Sequence, residues 1–353
     1  MAITLRPTRR RRSPFVPRFF WLLLILAALY AAAWFGAVAF ARSKAGDWLA
    51  REAEKGRQWA CDEPEVSGFP FSLRLACANP ALSVTGDTGT ATYAAKTLFA
   101  YLDVFSPTEV TLVFGAPVTA KQRNGDTALL NARDVRAVAG LALGGLDTAL
   151  HSFTLTSAAP DLTFTSVSGR GFTAKATSAR FILTPAPGGH DLAFDAEGLK
   201  LPALEQLTQN PAPATLHVAG LFEKFDLPGH GAPAERLERW RAAGGVFTLA
   251  KSTLGNGVTQ VEVSGPLALD AEHRPAGKLA VRLVGAGPIL QRFGVPAAVL
   301  NPGGLLGALL GKNKKPEPEA DSDPAGLRLS VTLQGGKVLA GPVPLPVELK
   351  ALY

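Results

Sequence analysis

Five histidines, two cysteines and one glycine-rich string are the residues of this 353-residue chain whose types invite a chemical reading. The histidines, His151, His190, His217, His230 and His273, stand far apart and show no HExxH or comparable ligand spacing. His190-Asp191 and Gly229-His230-Gly231 adjoin turn residues and read as exposed loop positions. Gly169-Arg170-Gly171-Phe172-Thr173-Ala174 matches the GxGxxA string of a dinucleotide site, yet Thr177 to Thr184 after it read as another strand. Without a helix N-terminus there is no dipole to hold a pyrophosphate. GxSxG elbows, Walker loops and CxxC pairs are absent from the sequence. The expectation is a protein that is not an enzyme, with no catalytic residue, no metal site and no cofactor.

Cys61 and Cys77 flank Gly68-Phe69-Pro70-Phe71. A metal site needs more ligands than two thiols and one acid cluster, and a redox site usually shows CxxC. A structural disulfide is the strongest of the three readings, and its short loop would stabilise the fold by roughly 3 kcal/mol on the chain-entropy argument. The two cysteines are equidistant from Phe69, so a hairpin turning at Gly68-Phe69-Pro70 would set the sulfurs opposite each other. That register gives Leu75 and Leu73 the partners Glu63 and Glu65. The expectation is therefore an ordered strand from about Phe69 to Cys77, with Pro70 at its first position, and an irregular incoming arm through Pro64.

The elements that position these residues begin at a membrane. Of the seven surplus positive charges, six sit on residues 1–18 as Arg6, Arg9, Arg10, Arg11, Arg12 and Arg18, so the rest of the chain is nearly neutral and offers nothing to nucleic acid. Residues 19–41 carry no charge and are long enough to cross a bilayer core. Ala39-Phe40-Ala41 also fits a signal-peptide cleavage site, but the apolar run exceeds the ~7–15 residues of a cleaved one, which favours an uncleaved anchor. The arginine bias predicts a single-pass membrane protein with its N-terminus cytoplasmic and everything after residue 42 exported, to a compartment that permits disulfides.

Residues 42–58 can extend the membrane helix outward, with Gly56 near its end. Residues 59–353 then read as one β-rich domain. Apolar residues alternate at Phe71/Leu73/Leu75, Val110/Leu112/Phe114, Phe153/Leu155, Leu162/Phe164, Phe181/Leu183 and Leu192/Phe194. The same period returns at Phe247/Leu249, Val261/Val263, Leu267/Leu269, Leu279/Val281/Leu283 and from Leu327 to Leu333, with turn signals at residues 187–189, 255–257 and 335–336. The fold class expected is mainly β: an elongated, curved antiparallel sheet with short helices near Ala203–Gln209 and Ala234–Ala243. Its second face is mostly Thr, Ser and Ala. Residues 287–311 are apolar but broken by Pro296 and by Asn301-Pro302-Gly303-Gly304, too interrupted to span a membrane. There Gly303, Gly307 and Gly311 read as a glycine-rich turn of helix. Residues 311–325, charged and proline-bearing, read as a disordered insert.

Trp59, Cys61, Gly68-Phe69-Pro70-Phe71 and Cys77, shortly after an N-terminal anchor, resemble the opening signature of the domain of unknown function 2125 family of proteobacterial envelope proteins. Leu199 to Pro202, Asp270 to Leu283 and Gly335 to Leu345 are similar as well, although only the cysteine segment is specific and the 311–325 insert is not part of the pattern. That family has no established activity, so the resemblance implies location, an inner-membrane anchor with the main domain periplasmic, more than mechanism. The anchor-first, strand-rich organisation is also similar to the AsmA-like group, which implies a long sheet curled into an apolar groove for lipid. Two functions follow as expectations. In one, a sheet groove binds lipid or another apolar envelope component through Phe153, Leu155, Phe164, Phe181 and Phe194, with Ile289 to Leu310 as a lid or bilayer-touching element. In the other, the chain is a structural partner of an envelope protein complex, bound through strand edges and residues 311–325, with no small ligand.

Overall fold

The computed structural model describes residues 15–54, 56–86, 89–103, 105–144, 147–225, 233–285, 326–341 and 343–353. The apolar stretch 287–311 and the charged insert 311–325, to which the lid and partner-binding readings referred, lie outside the described residues, as does His230.

One helix, α1 (Phe15–Glu54), carries the apolar run and continues past it without a break. Its 22-residue segment Phe19–Phe40 has a mean hydropathy of 2.2 and is long and apolar enough to cross a membrane. The helix stops because Gly56 takes a φ of 74° and donates back to the Ala53 carbonyl, a glycine cap. A side chain at 56 would meet the Thr85 carbonyl oxygen at 2.7 Å. Buried Glu52 grips the Arg57 guanidinium in a two-pronged ion pair across this corner.

From Arg57 onward the chain is an antiparallel meander. Its first half comprises β1 (Arg57–Ser67), β2 (Ser72–Gly86), β3 (Gly89–Asp103), β4 (Ser106–Lys121), β5 (Thr127–Asn131), β6 (Asp134–Gly144), β7 (Asp147–Ala158), β8 (Asp161–Thr165) and β9 (Gly171–Lys175). The second half comprises β10 (Ser178–Ala186), β11 (Gly189–Leu199), β12 (Ala214–Glu223), β13 (Phe247–Gly255), β14 (Gln260–Leu269), β15 (Pro275–Val284), β16 (Leu327–Gln334), β17 (Lys337–Ala340) and β18 (Val343–Glu348). Among the described residues two short helices interrupt it, α2 (Pro202–Thr208) after β11 and α3 (Pro233–Ala242) after β12. All eighteen strands belong to one large open sheet.

Several neighbouring strands are halves of longer ones. Asp134 faces Ala158, and three residues on along both strands Asn131 faces Asp161, so β5–β6 and β7–β8 keep one register through a break. The same holds for Ser178 opposite Ala158 and Lys175 opposite Asp161, and for Glu197 opposite Ser178 and Lys200 opposite Lys175. The breaks align into a crease across the sheet. Backbone hydrogen bonds continue through it, from Ala159 N–H to Thr177 O and from Ala176 N–H to Pro160 O. Sequence explains its position: Ala159 sits at a φ of 48° before Pro160, and Gly198 at 62°.

At the cysteine hairpin the structure departs from the expected register. Ser67 faces Arg74 and Val66 faces Leu75, which centres the turn on Pro70-Phe71 and not on Phe69. β2 starts at Ser72, so Phe69 and Pro70 lie in the turn, and the incoming arm is a paired but kinked strand. Bulges on both strands, with Glu63 at a φ of 49° and Asn79 at 47°, absorb the offset. Val66 thereby replaces Glu63 opposite Leu75, which removes the apolar–acid mismatch. Cys61 and Cys77 are joined, with Cα atoms 5.5 Å apart, and the bond ties the edge strand β1 to β2. Both cysteines to serine should release β1 alone: amide exchange in β1 should accelerate while β6 to β16 keep their protection. Loss of protection throughout would contradict a local clamp.

Candidate functional site

Directly opposed residues of an antiparallel pair share a face, so the register sorts side chains without ambiguity. One unbroken row runs Leu75, Ala100, Leu112, Ala137, Leu155, Phe181, Phe194 and Val218 from β2 to β12. A second, one step along the strands, runs Leu73, Leu102, Val110, Ala139, Phe153, Leu183 and Leu192. Beyond a bulge in β12–β13 the same face continues as Leu216, Leu254, Val261, Leu283 and Leu327. At strand spacings of ~4.8 Å the first row alone crosses about 34 Å.

The opposite face has the reverse character. A row there reads Arg136, Thr156, Arg180, Asp195, His217, Thr253, Glu262, Arg282 and Arg328 across nine strands. His217 Nδ1 lies 2.6 Å from Asp195 Oδ1, and Lys251 Nζ is 3.3 Å from Glu262. The Arg74 guanidinium covers the Phe99 and Tyr101 rings on this side, at 4.6 and 5.3 Å.

No second layer of described residues covers the apolar face. Most of its members are part-exposed, Leu75 is exposed, and Ala137 and Leu183 are buried among their neighbours; no large side chain is fully buried, and the buried apolar residues are few and mostly small. The described helices meet the sheet only at its margins: α1 beside β1, α2 beside β9, and α3 through Trp240. Trp240 stacks on Phe222 at 4.7 Å, and its indole N–H donates to Glu223 O at 2.7 Å, which closes one end of the apolar face. The outer side of α3 is tied to the C-terminus. Glu238 accepts from Arg241 at 2.6 and 2.8 Å and from the Tyr353 hydroxyl at 2.9 Å, with His273 at 3.2 Å. The Arg241 hydrogen bonds, then that of Tyr353, hold the Glu238 carboxyl down at about 2.

Four of the five residues expected in a groove are together. Phe181 faces both Leu155 and Phe194, and the Phe153 and Phe181 rings are 6.2 Å apart. Phe164 is elsewhere, beyond the crease in β8, where it stacks on Phe172 at 5.4 Å and lines an open recess of about 840 Å³ under α2. The alternation Leu162/Phe164 resembles that of β7, and Ala159-Pro160 alone does not show that the breaks of neighbouring strands align. Trp240 also borders the site, and the sequence signal for it is its spacing of three residues from Leu237, which sets both on one face of α3. His190 is half-buried in β11 and not in an exposed loop, because the turn before it is only two residues and the strand resumes at Gly189. Gly169 to Ala174 form a turn and β9, followed by strand β10. Among the described residues no cluster of His, Cys, Asp or Glu has metal-binding geometry.

A family model described as "Uncharacterized protein conserved in bacteria (DUF2125)" matches residues 34–346. No curated protein and no solved structure matches the chain.

Proposed function

This chain belongs to the DUF2125 family, whose description assigns it no activity, and from the sheet itself we propose that it is a membrane-anchored protein that binds lipid acyl chains. The supporting observation is the apolar face, uncovered by any described layer, whose central row runs from Leu75 to Val218. Soluble monomers rarely expose contiguous apolar patches beyond a few hundred Å², and larger ones mark binding surfaces. Water contact over such a face costs about 25 cal/mol per Å², which acyl chains laid across the strands would recover.

In this reading α1 crosses the inner membrane with the arginine-rich N-terminus in the cytoplasm and the sheet in the periplasm. The polar row from Arg136 to Arg328 faces water. Phe153, Leu155, Phe181 and Phe194 form the middle of the binding face, and no residue is assigned a chemical step. Native mass spectrometry of the full chain in mild detergent tests this: bound phospholipid is expected, and a lipid-free chain from membranes rich in phospholipid would overturn it.

A further inference from the structure

We propose that the end of the sheet built from the β1–β2 and β3–β4 turns is embedded in the bilayer leaflet nearest the domain. This rests on α1 crossing a membrane, as proposed above, and stands whether or not the apolar face holds lipid. After α1 ends at Glu54, β1 runs back along it, and the turn at its far end reaches the middle of the apolar helix. Phe69 packs on Trp34 at 5.3 Å, Phe35 at 6.1 Å and Tyr30 at 6.4 Å. Those helix residues lie five to ten positions before Phe40, the end of the apolar segment. At 1.5 Å per residue this puts the turn about 7 to 15 Å inside that end.

Sliding the helix to lift the turn out of the hydrocarbon does not work. The crossing would then run from Phe19 to between Tyr30 and Phe35, about 18 to 25 Å, against a core of about 30 Å.

The composition of the turns agrees. Phe69, Phe71 and Phe105 are 50%, 60% and 79% exposed, and the Phe71 and Phe105 rings stack at 6.1 Å across the two turns. Backbone in hydrocarbon needs internal partners. The Gly68 carbonyl accepts from the Ser72 N–H at 3.0 Å, the Pro70 carbonyl accepts from the Tyr30 hydroxyl, and Pro70 has no N–H to satisfy. Gly68 itself admits no side chain, since a Cβ would meet Ser72 O at 2.6 Å. Asp103, opposite Ser72, goes in with the turns, and its carboxylate accepts from the Phe105 N–H at 2.8 Å, while Arg74 lies two residues further from the tips.

Both cysteines are in the disulfide, so a single introduced cysteine takes a fluorophore. We would label Phe71→Cys, Phe105→Cys, Leu29→Cys in α1 and Thr154→Cys on the polar face, in the full chain reconstituted into phosphatidylcholine–phosphatidylglycerol vesicles. The expected result is emission at 71 and 105 that shifts to the blue, is lost with nitroxide-bearing acyl chains and resists aqueous iodide, as at 29, while 154 behaves oppositely. Shielding at 29 with iodide quenching at 71 and 105 would overturn the insertion and leave the anchor standing. Iodide quenching at 29 as well would overturn both.

Discussion

Replacing Leu155 and Phe181 together by arginine should leave a folded chain that no longer carries lipid. The two residues are register partners on β7 and β10, at the centre of the eight-strand apolar row. Both are half-buried with no described layer above them, so longer side chains have room and the backbone ladder is untouched. A charge held beneath acyl chains costs about 2.5 to 3.5 kcal/mol, close to a hundredfold in affinity for each substitution. Thr154→Arg, one residue away but on the polar face, should leave the lipid content unchanged. Quantifying phospholipid in the purified variants separates the two faces, and equal loss from all of them would show that the apolar row is not the site.

Trp240→Ala should be among the most destabilising single changes in the domain. The indole is 5% exposed, lies nearly parallel to Phe222 and donates to the Glu223 carbonyl. Its removal opens a cavity at the only described helix that docks on the apolar face and leaves that carbonyl without its donor. Large aromatic-to-alanine changes of this kind cost about 3 to 5 kcal/mol, a sizeable share of the ~5–15 kcal/mol that keeps a protein folded. Trp240→Phe keeps the stack and loses only the hydrogen bond, so it should fall between wild type and alanine. Urea unfolding followed by circular dichroism measures the order, and a loss below about 1 kcal/mol for alanine would contradict the docking role assigned to Trp240.

The architecture was legible because strand periodicity is local. Runs such as HSFTLTS and ARFILT show which residues share a face, and the Thr and Ser of the other face mark it as polar. β3, β6 and β12 were harder to read. In TATYAAKTLFAYLD the bulge near Lys96 shifts the alternation, and in DVRAVAGLALG and ATLHVAGLFE alanines and glycines blur it. Counting from Phe69 gives the wrong register for the cysteine hairpin, because sequence does not display the bulges at Glu63 and Asn79. Four of the five groove candidates share a face since they lie on one side of the crease. Phe164 does not, as the crease depends on breaks that align between strands far apart in sequence. The contact of Phe69 with Trp34 is likewise long-range, fixed only when β1 folds back along α1.

Photo-crosslinking in living cells probes the central claim at the residues themselves. A diazirine side chain would be placed in turn at Leu155, Phe181 and Phe194 on the apolar face, and at Thr156, Arg180 and Asp195 on the polar one. If the sheet binds acyl chains, irradiation yields phospholipid adducts from the first three positions and none from the last three. Adducts to protein alone, or lipid adducts spread equally over both faces, would contradict it.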